Sequence, residues 1–155
     1  MNALAVPARR WRPPPARLIY PALRASSIAL LVFIAIVSLT DDPSDVTGGG
    51  GLIANWISGI LFGTPAHGDK VAHFAAYAVS SLVTLVAFGR HRRSAALVLF
   101  GLLIFGGALE LLQAAGGVRT GDWLDLLANT LGIMAGGGTG AAARLLVRQQ
   151  GLSPA

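Results

Sequence analysis

The chain has 155 residues, 54% of them hydrophobic and only 12% charged, and carries a net charge of +5. A water-soluble domain of this size needs a far more charged surface, so composition alone points to a membrane protein. The basic excess does not make it a nucleic-acid binder, because its arginines punctuate apolar segments instead of coating one face; the lack of cysteine removes disulfides, thiolate metal sites and cysteine nucleophiles together.

Residues 1–24 read as a basic, Pro-rich tail. Arg9, Arg10, Arg12, Arg17 and Arg24 flank Pro13, Pro14 and Pro15, a composition that predicts an extended or disordered first part. The first apolar run, residues 25–39, is short for a span, but Ile19 and Tyr20 can lie at the interface while Arg24 snorkels toward water. An uncleaved anchor fits better than a signal peptide: the basic region is too long, and no A-x-A-like site precedes Asp41.

Residues 40–69 form the longest connection, opened by Asp41, Asp42, Pro43 and Asp45 and broken by Gly48 to Gly51. Within it Leu52, Ile53, Trp56, Ile57, Ile60 and Leu61 recur at helical spacing opposite Asn55 and Ser58. That run is too short to cross the hydrocarbon, so it is expected as a helix lying in the outer interface or capping the bundle. Further spans are expected at 71–89, 94–114 and 123–147, followed by a short tail at 148–155. Gly132, Gly136 and Gly140 repeat every four residues along the fourth span. They open a groove for another helix, either from the same bundle or from a second copy in a homo-oligomer.

Charge then orients the spans. Ten of the twelve basic residues fall on one side: Arg9, Arg10, Arg12, Arg17, Arg24, Arg90, Arg92, Arg93, Arg144 and Arg148. All seven acids, Asp41, Asp42, Asp45, Asp69, Glu110, Asp122 and Asp125, fall on the other. Short cytoplasmic loops retain Lys and Arg, so the expected architecture is an all-α, multi-pass membrane four-helix bundle with both termini cytoplasmic.

Ionisable groups within spans are costly and usually face a protein interior or a cavity. Asp69, Lys70, His73 and Tyr77 open the second span, with the 69–73–77 spacing placing three of them on one stripe. Glu110 and Gln113 stand near the outer end of the third. Arg119 and Thr120 lie in the hairpin before the fourth, which opens with Asp122, Asp125 and Asn129 on one face. At 1.5 Å per residue these side chains reach one slab of the outer leaflet from three helices, whereas the inner halves, such as residues 82–88 and 95–103, are apolar. Asp69 and Asp122 could equally be helix caps, and Lys70 and Arg119 interface anchors. Asp125, Asn129, Glu110, His73 and Tyr77 lie too deep for capping and are expected to share one hydrogen-bonded site.

These residues resemble a known family. The run from Asp69 to Tyr77 is similar to the D-K-x-x-H-F-x-x-Y opening of VanZ-like membrane proteins. Glu110 to Gln113 resembles that family's E-x-x-Q element, and Arg119 to Gly132 its R-x-x-D-x-x-D-x-x-x-N-x-x-G block. Together the blocks cover roughly residues 69–140. The resemblance implies a bacterial inner-membrane protein of the cell envelope, of a family named for resistance to the glycopeptide antibiotic teicoplanin. By motif it carries over Asp69, Lys70, His73, Tyr77, Glu110, Gln113, Arg119, Asp122, Asp125 and Asn129 as site positions, without specifying a reaction.

Three readings of the site follow. In the first, it binds an amphiphile such as a lipid-linked precursor or an anionic lipid head group. Lys70 and Arg119 then act as cationic donors, Asn129, Gln113 and Tyr77 hydrogen-bond the head group, and the 52–61 helix shields the chain. In the second, it is an intramembrane hydrolase or transferase with His73 as general base, oriented by Asp69 or Asp125, and Glu110 as acid. In the third, the polar cluster only locks the bundle and the glycine groove receives a partner. No cofactor is expected; a divalent metal on His73, Glu110, Asp122 and Asp125 is the competing reading, without a compact motif such as H-E-x-x-H behind it. Ion translocation ranks last, because the inner halves offer no polar path.

Overall fold

The computed structural model describes residues 16–40, 47–48, 50–89, 91–116 and 122–149. The arginines before Ala16, the acids Asp41, Asp42 and Asp45, Arg90, and the hairpin residues Arg119 and Thr120 lie outside the described residues. Among the described residues the regular structure is helical throughout: α1 (Ala16–Ser38), α2 (Gly50–Phe62), a 3-10 turn (Pro65–His67), α3 (Gly68–Phe88), α4 (Arg92–Gly116) and α5 (Trp123–Gln149). Three stretches are long and apolar enough to cross a membrane, Ile19–Ser38, Pro65–Phe88 and Arg92–Gly116. With 27 residues, α5 is long enough too, but Asp125, Asn129 and its many glycines dilute its hydropathy.

Helix α3 is the hub. It packs chiefly along α5 and also touches α1, α2 and α4. The tight α3–α5 approach follows from residue size. A Cβ added at Gly132 would run into the Phe74 carbonyl oxygen, and one at Gly136 into the carbonyl of Ala78. At Gly140 the same atom would sit 3.0 Å from the Leu85 side chain. The glycine groove is therefore filled by α3 of the same chain. Of the two partners the sequence left open for Gly132, Gly136 and Gly140, the one seen here is the helix from the same bundle.

Small hydroxyls also fasten the helices to one another, since a polar group between apolar helices needs a partner. Ser27 and Thr84 share a 2.6 Å hydrogen bond between α1 and α3. Ser81 Oγ donates to the Ile133 carbonyl of α5 at 2.9 Å. The apolar core is small, built on Ile34, Tyr77, Leu102, Leu109 and Ile133. Most large apolar side chains point outward: Val32, Leu97, Phe100 and Met134 are all more than half exposed. That inversion of the soluble pattern suits helices solvated by hydrocarbon.

Two boundaries differ from the sequence expectation. Helix α1 begins at Ala16, not at residue 25, and so includes Pro21. A proline this near the helix start forfeits one backbone hydrogen bond. The Arg24 guanidinium also lies over the Phe88 ring, 5.4 Å from its centroid, fastening this end of α1 to the C-terminus of α3. Helix α3 begins at Gly68, three residues before the expected start, because the preceding turn is locally locked. Thr64 accepts a hydrogen bond from the Ala66 amide at 3.2 Å, and Ser58 Oγ of α2 donates to the Thr64 carbonyl at 2.7 Å.

Candidate functional site

The 3-10 turn lays α2 across the N-terminal end of α3. Gly68 sits directly against Asn55, whose side chain occupies the space a Cβ would need. From this anchored start, Lys70, His73 and Tyr77 follow at spacings of three and four, one stripe of α3. On α5, Asp122, Asp125 and Asn129 repeat the same spacings, and the two stripes meet. Lys70 and His73 of the α3 stripe turn toward α5. Asp69 stands beside that stripe and pairs with its neighbour Lys70.

At the N-terminal end of α3, Lys70 is surrounded by acids. Its Nζ lies 2.8 Å from Asp69 Oδ2, 2.6 Å from Asp122 Oδ2 and 2.8 Å from Asp125 Oδ1. The Asp125 contact is an ion pair without hydrogen-bond alignment. Three carboxylates at this range surround one ammonium and more than offset its charge. Asp122 has two roles: its Oδ1 also accepts from the Leu124 amide at 2.9 Å, capping α5. Those two partners, Lys70 first, hold the Asp122 carboxyl below the usual carboxylate range. Asp69 lies in the first turn of α3, where a negative charge favours the helix dipole.

One turn deeper the chemistry changes. His73 Nδ1 and Asn129 Oδ1 are 2.9 Å apart. An amide oxygen can only accept, so the ring carries a proton on Nδ1. Asn129 Nδ2 faces Glu110 Oε1 at 3.4 Å, which fixes the amide's orientation. The reverse orientation would set the amide oxygen against a carboxylate. His73 Nε2 then looks toward Asp125 Oδ2 at 4.0 Å, and His73 Nδ1 lies 4.0 Å from Glu110 Oε1. One donor atom from each of His73, Glu110 and Asp125 falls within 4.8 Å of the other two. Three helices thus converge on a single point, and the residues doing so are buried or half-buried, with Asn129 only 2% and Asp125 8% exposed.

Not every expected residue joins this point. Tyr77 is buried, and its ring lies against Gly106 of α4, where an added Cβ would come within 3.1 Å of the hydroxyl. Gln113 turns away: its Nε2 donates to the Ser38 carbonyl at 2.6 Å, satisfying the C-terminal end of α1. Its role is to join α4 to α1, because a helix end within an apolar bundle needs a donor. Asp122 stays with Lys70 and its capping amide, apart from the His73 cluster. His67, in the turn before α3, makes an edge-on contact with Phe62, with ring centroids 5.6 Å apart.

Beside the polar stripe lies a cavity of about 710 Å³. Its walls are Ile57, Leu61 and Phe62 of α2, Val71 and Phe74 of α3, and Leu124, Leu127 and Leu131 of α5, with Lys70 at its edge. The sequence carried a signal for these positions, since Leu124, Leu127 and Leu131 repeat at the spacing of the polar stripe. The fold of α2 over them is what the pattern lacked. Comparison of the chain with protein-family models, curated proteins and solved structures returns no match.

Proposed function

We propose that this chain is a VanZ-like, four-span protein of the bacterial inner membrane that binds an amphiphile in its outer leaflet. In this reading both termini are cytoplasmic, as the segregation of arginines from acids favours. Helix α5 is the fourth span, and α2 lies in the outer interface. The α2 surface is suited to that setting: Leu52, Ile53, Trp56 and Ile60 are exposed on the side away from the cavity formed with Ile57 and Leu61.

The observation that carries the proposal is the juxtaposition of the apolar cavity with the Lys70 acid cluster. A hydrocarbon chain fills the cavity while its head group meets Lys70 and its acids. The described part of the wall narrows the choice of head group. The Lys70 charge is already more than offset by three carboxylates, and the surrounding oxygens of Asp69 and Asp122 are acceptors. The wall suits a head group rich in hydroxyl or amine donors. A link to glycopeptide resistance is consistent with a sugar-bearing or amine-bearing envelope lipid, and follows from the family resemblance alone.

The test uses two diazirine-tagged lipids in nanodiscs, one with a sugar head and one with a bare phosphate. Labelling is expected to map to the residues around Phe74 and Leu127, to favour the sugar head, and to fall when Ala75→Trp fills the cavity. The outward-facing Phe100→Trp should leave it unchanged. Uniform labelling of α4 and α5, unaffected by Ala75→Trp, removes the proposal. A hydrolase or transferase reading gains support from the Nδ1-protonated His73, whose Nε2 is the ring's remaining basic position. It requires that His73→Gln abolish turnover of the bound lipid while labelling persists.

A further inference from the structure

We infer that His73, Glu110 and Asp125 form a binding site for a divalent transition-metal cation, of the class of Zn²⁺ or Mn²⁺. The site is independent of the cavity and of what fills it. Its donors are one imidazole nitrogen and two carboxylates, drawn from α3, α4 and α5, with one atom of each inside 4.8 Å of the others. Nitrogen with carboxylate oxygen is a donor set these ions accept, and three protein ligands leave a position open for water or substrate.

Two further features separate this cluster from a chance gathering of acids. The first is its supporting shell. A ligating histidine ordinarily donates its other ring N–H to a carbonyl or carboxylate, which fixes tautomer and ring direction. Here Nδ1 donates to Asn129 Oδ1 at 2.9 Å, presenting Nε2 toward Asp125. The same Asn129 faces Glu110 through Nδ2, and Asp125 keeps its other oxygen on Lys70. Each candidate ligand is thus held from behind by a second group.

The second feature is charge. Asp69, Asp122, Asp125 and Glu110 gather around the chain's single lysine, and Lys70 is spent on the first three. Glu110 meets only the amide of Asn129 and the His73 ring among its described partners. The 4.0 Å between His73 Nε2 and Asp125 Oδ2 is too long for a direct hydrogen bond and leaves room for a positive centre on which both atoms converge. A divalent cation supplies that centre and offsets the acid excess in one step.

The experiment uses the full chain in nanodiscs, stripped with chelator and titrated with Zn²⁺ or Mn²⁺ alone. One equivalent per chain is expected, measured by equilibrium dialysis with elemental mass spectrometry. Affinity should fall by at least about 100-fold in His73→Ala and by about 10–100-fold in Asn129→Ala, the range for loss of a supporting partner. His91→Ala, in the inner hairpin, should bind as the parent does. Because a substitution in a buried cluster can prevent folding, the unaltered chain provides a second readout. Its Mn²⁺-loaded form should show electron-spin-echo modulation from a coordinated imidazole nitrogen. Titrations identical in the parent and a folded His73→Ala overturn the site, and so does a Mn²⁺ signal lacking nitrogen coupling.

Discussion

Replacing Gly136 by alanine, beside the same change at Gly138, isolates the contact that brings the site together. Both positions lie in the middle of α5, so both substitutions gain helix propensity, worth about 1 kcal/mol for Gly to Ala in a water-exposed helix. They differ in what the new methyl meets. At Gly138 it finds no described atom within 4 Å, whereas at Gly136 it collides with the Ala78 carbonyl oxygen and lies 3.1 Å from Ala78 Cα. That obstacle is backbone, so no rotamer change relieves it; the helices must separate. Overpacking of this kind costs about 1–3 kcal/mol, and a backbone clash belongs at the upper end. Net of propensity, Gly136→Ala should be destabilised by about 1–2 kcal/mol, and Gly138→Ala should be unchanged or stabilised by up to about 1 kcal/mol. Reversible unfolding in mixed dodecylmaltoside–SDS micelles, followed by far-ultraviolet circular dichroism, measures both. Gly132→Ala should go further. Its neighbour across the interface is the Phe74 carbonyl, next to His73, and Gly132 lies one turn beyond Asn129. Separation there lengthens the 2.9 Å His73–Asn129 hydrogen bond, visible as a changed imidazole nitrogen shift. Equal stability of the Gly136 and Gly138 variants would refute the tight α3–α5 packing and the site built on it.

Gln113→Ala removes the donor to the Ser38 carbonyl and should cost about 1–3 kcal/mol, the penalty for leaving a buried acceptor unpaired, with amphiphile labelling unchanged in the protein that remains folded. Lys70→Met strands three carboxylates that share one cation. The Asp125 side chain is the least exposed of the three at 11%, so Lys70→Met should be rescued far more by added Asp125→Asn than by added Asp69→Asn. A double-mutant cycle by thermal unfolding checks this, and equal rescue by both would contradict the geometry.

How far the site could be read in advance follows from periodicity. Lys70, His73 and Tyr77 on one helix, and Asp122, Asp125 and Asn129 on another, announce themselves because a helix returns to the same face every three or four residues. Their common level was read by counting 1.5 Å steps from the span ends, and the structure brings His73, Glu110 and Asp125 together. Side-chain direction was less legible. Gln113 shares a helix with Glu110 at i+3, yet it bonds the end of α1, because that choice depends on an orphan carbonyl from a helix 75 residues away in sequence. The glycine repeat likewise left its partner open. Only packing shows that Phe74 and Ala78 fill the groove. Helix α1 was read too short because Arg17, Pro21 and Arg24 look like interruptions, whereas each is tolerable in a helix at the membrane edge.

The three-way pairing of Lys70 bears most directly on what the site can select. A lysine at head-group depth would ordinarily attract phosphate, and the sequence alone supports that expectation. With three acids at 2.6–2.8 Å, its charge is overcompensated, and an anionic group approaching the cavity edge meets repulsion. Cations and hydrogen-bond donors are favoured instead. The deeper cluster extends the same preference, since Glu110 and Asp125 add acceptors with His73 between them. If the cavity holds an amphiphile, as proposed, its apolar walls admit long chains without distinction, and discrimination would come from the head group. In that reading, the acids around Lys70 would turn the discrimination against phosphate.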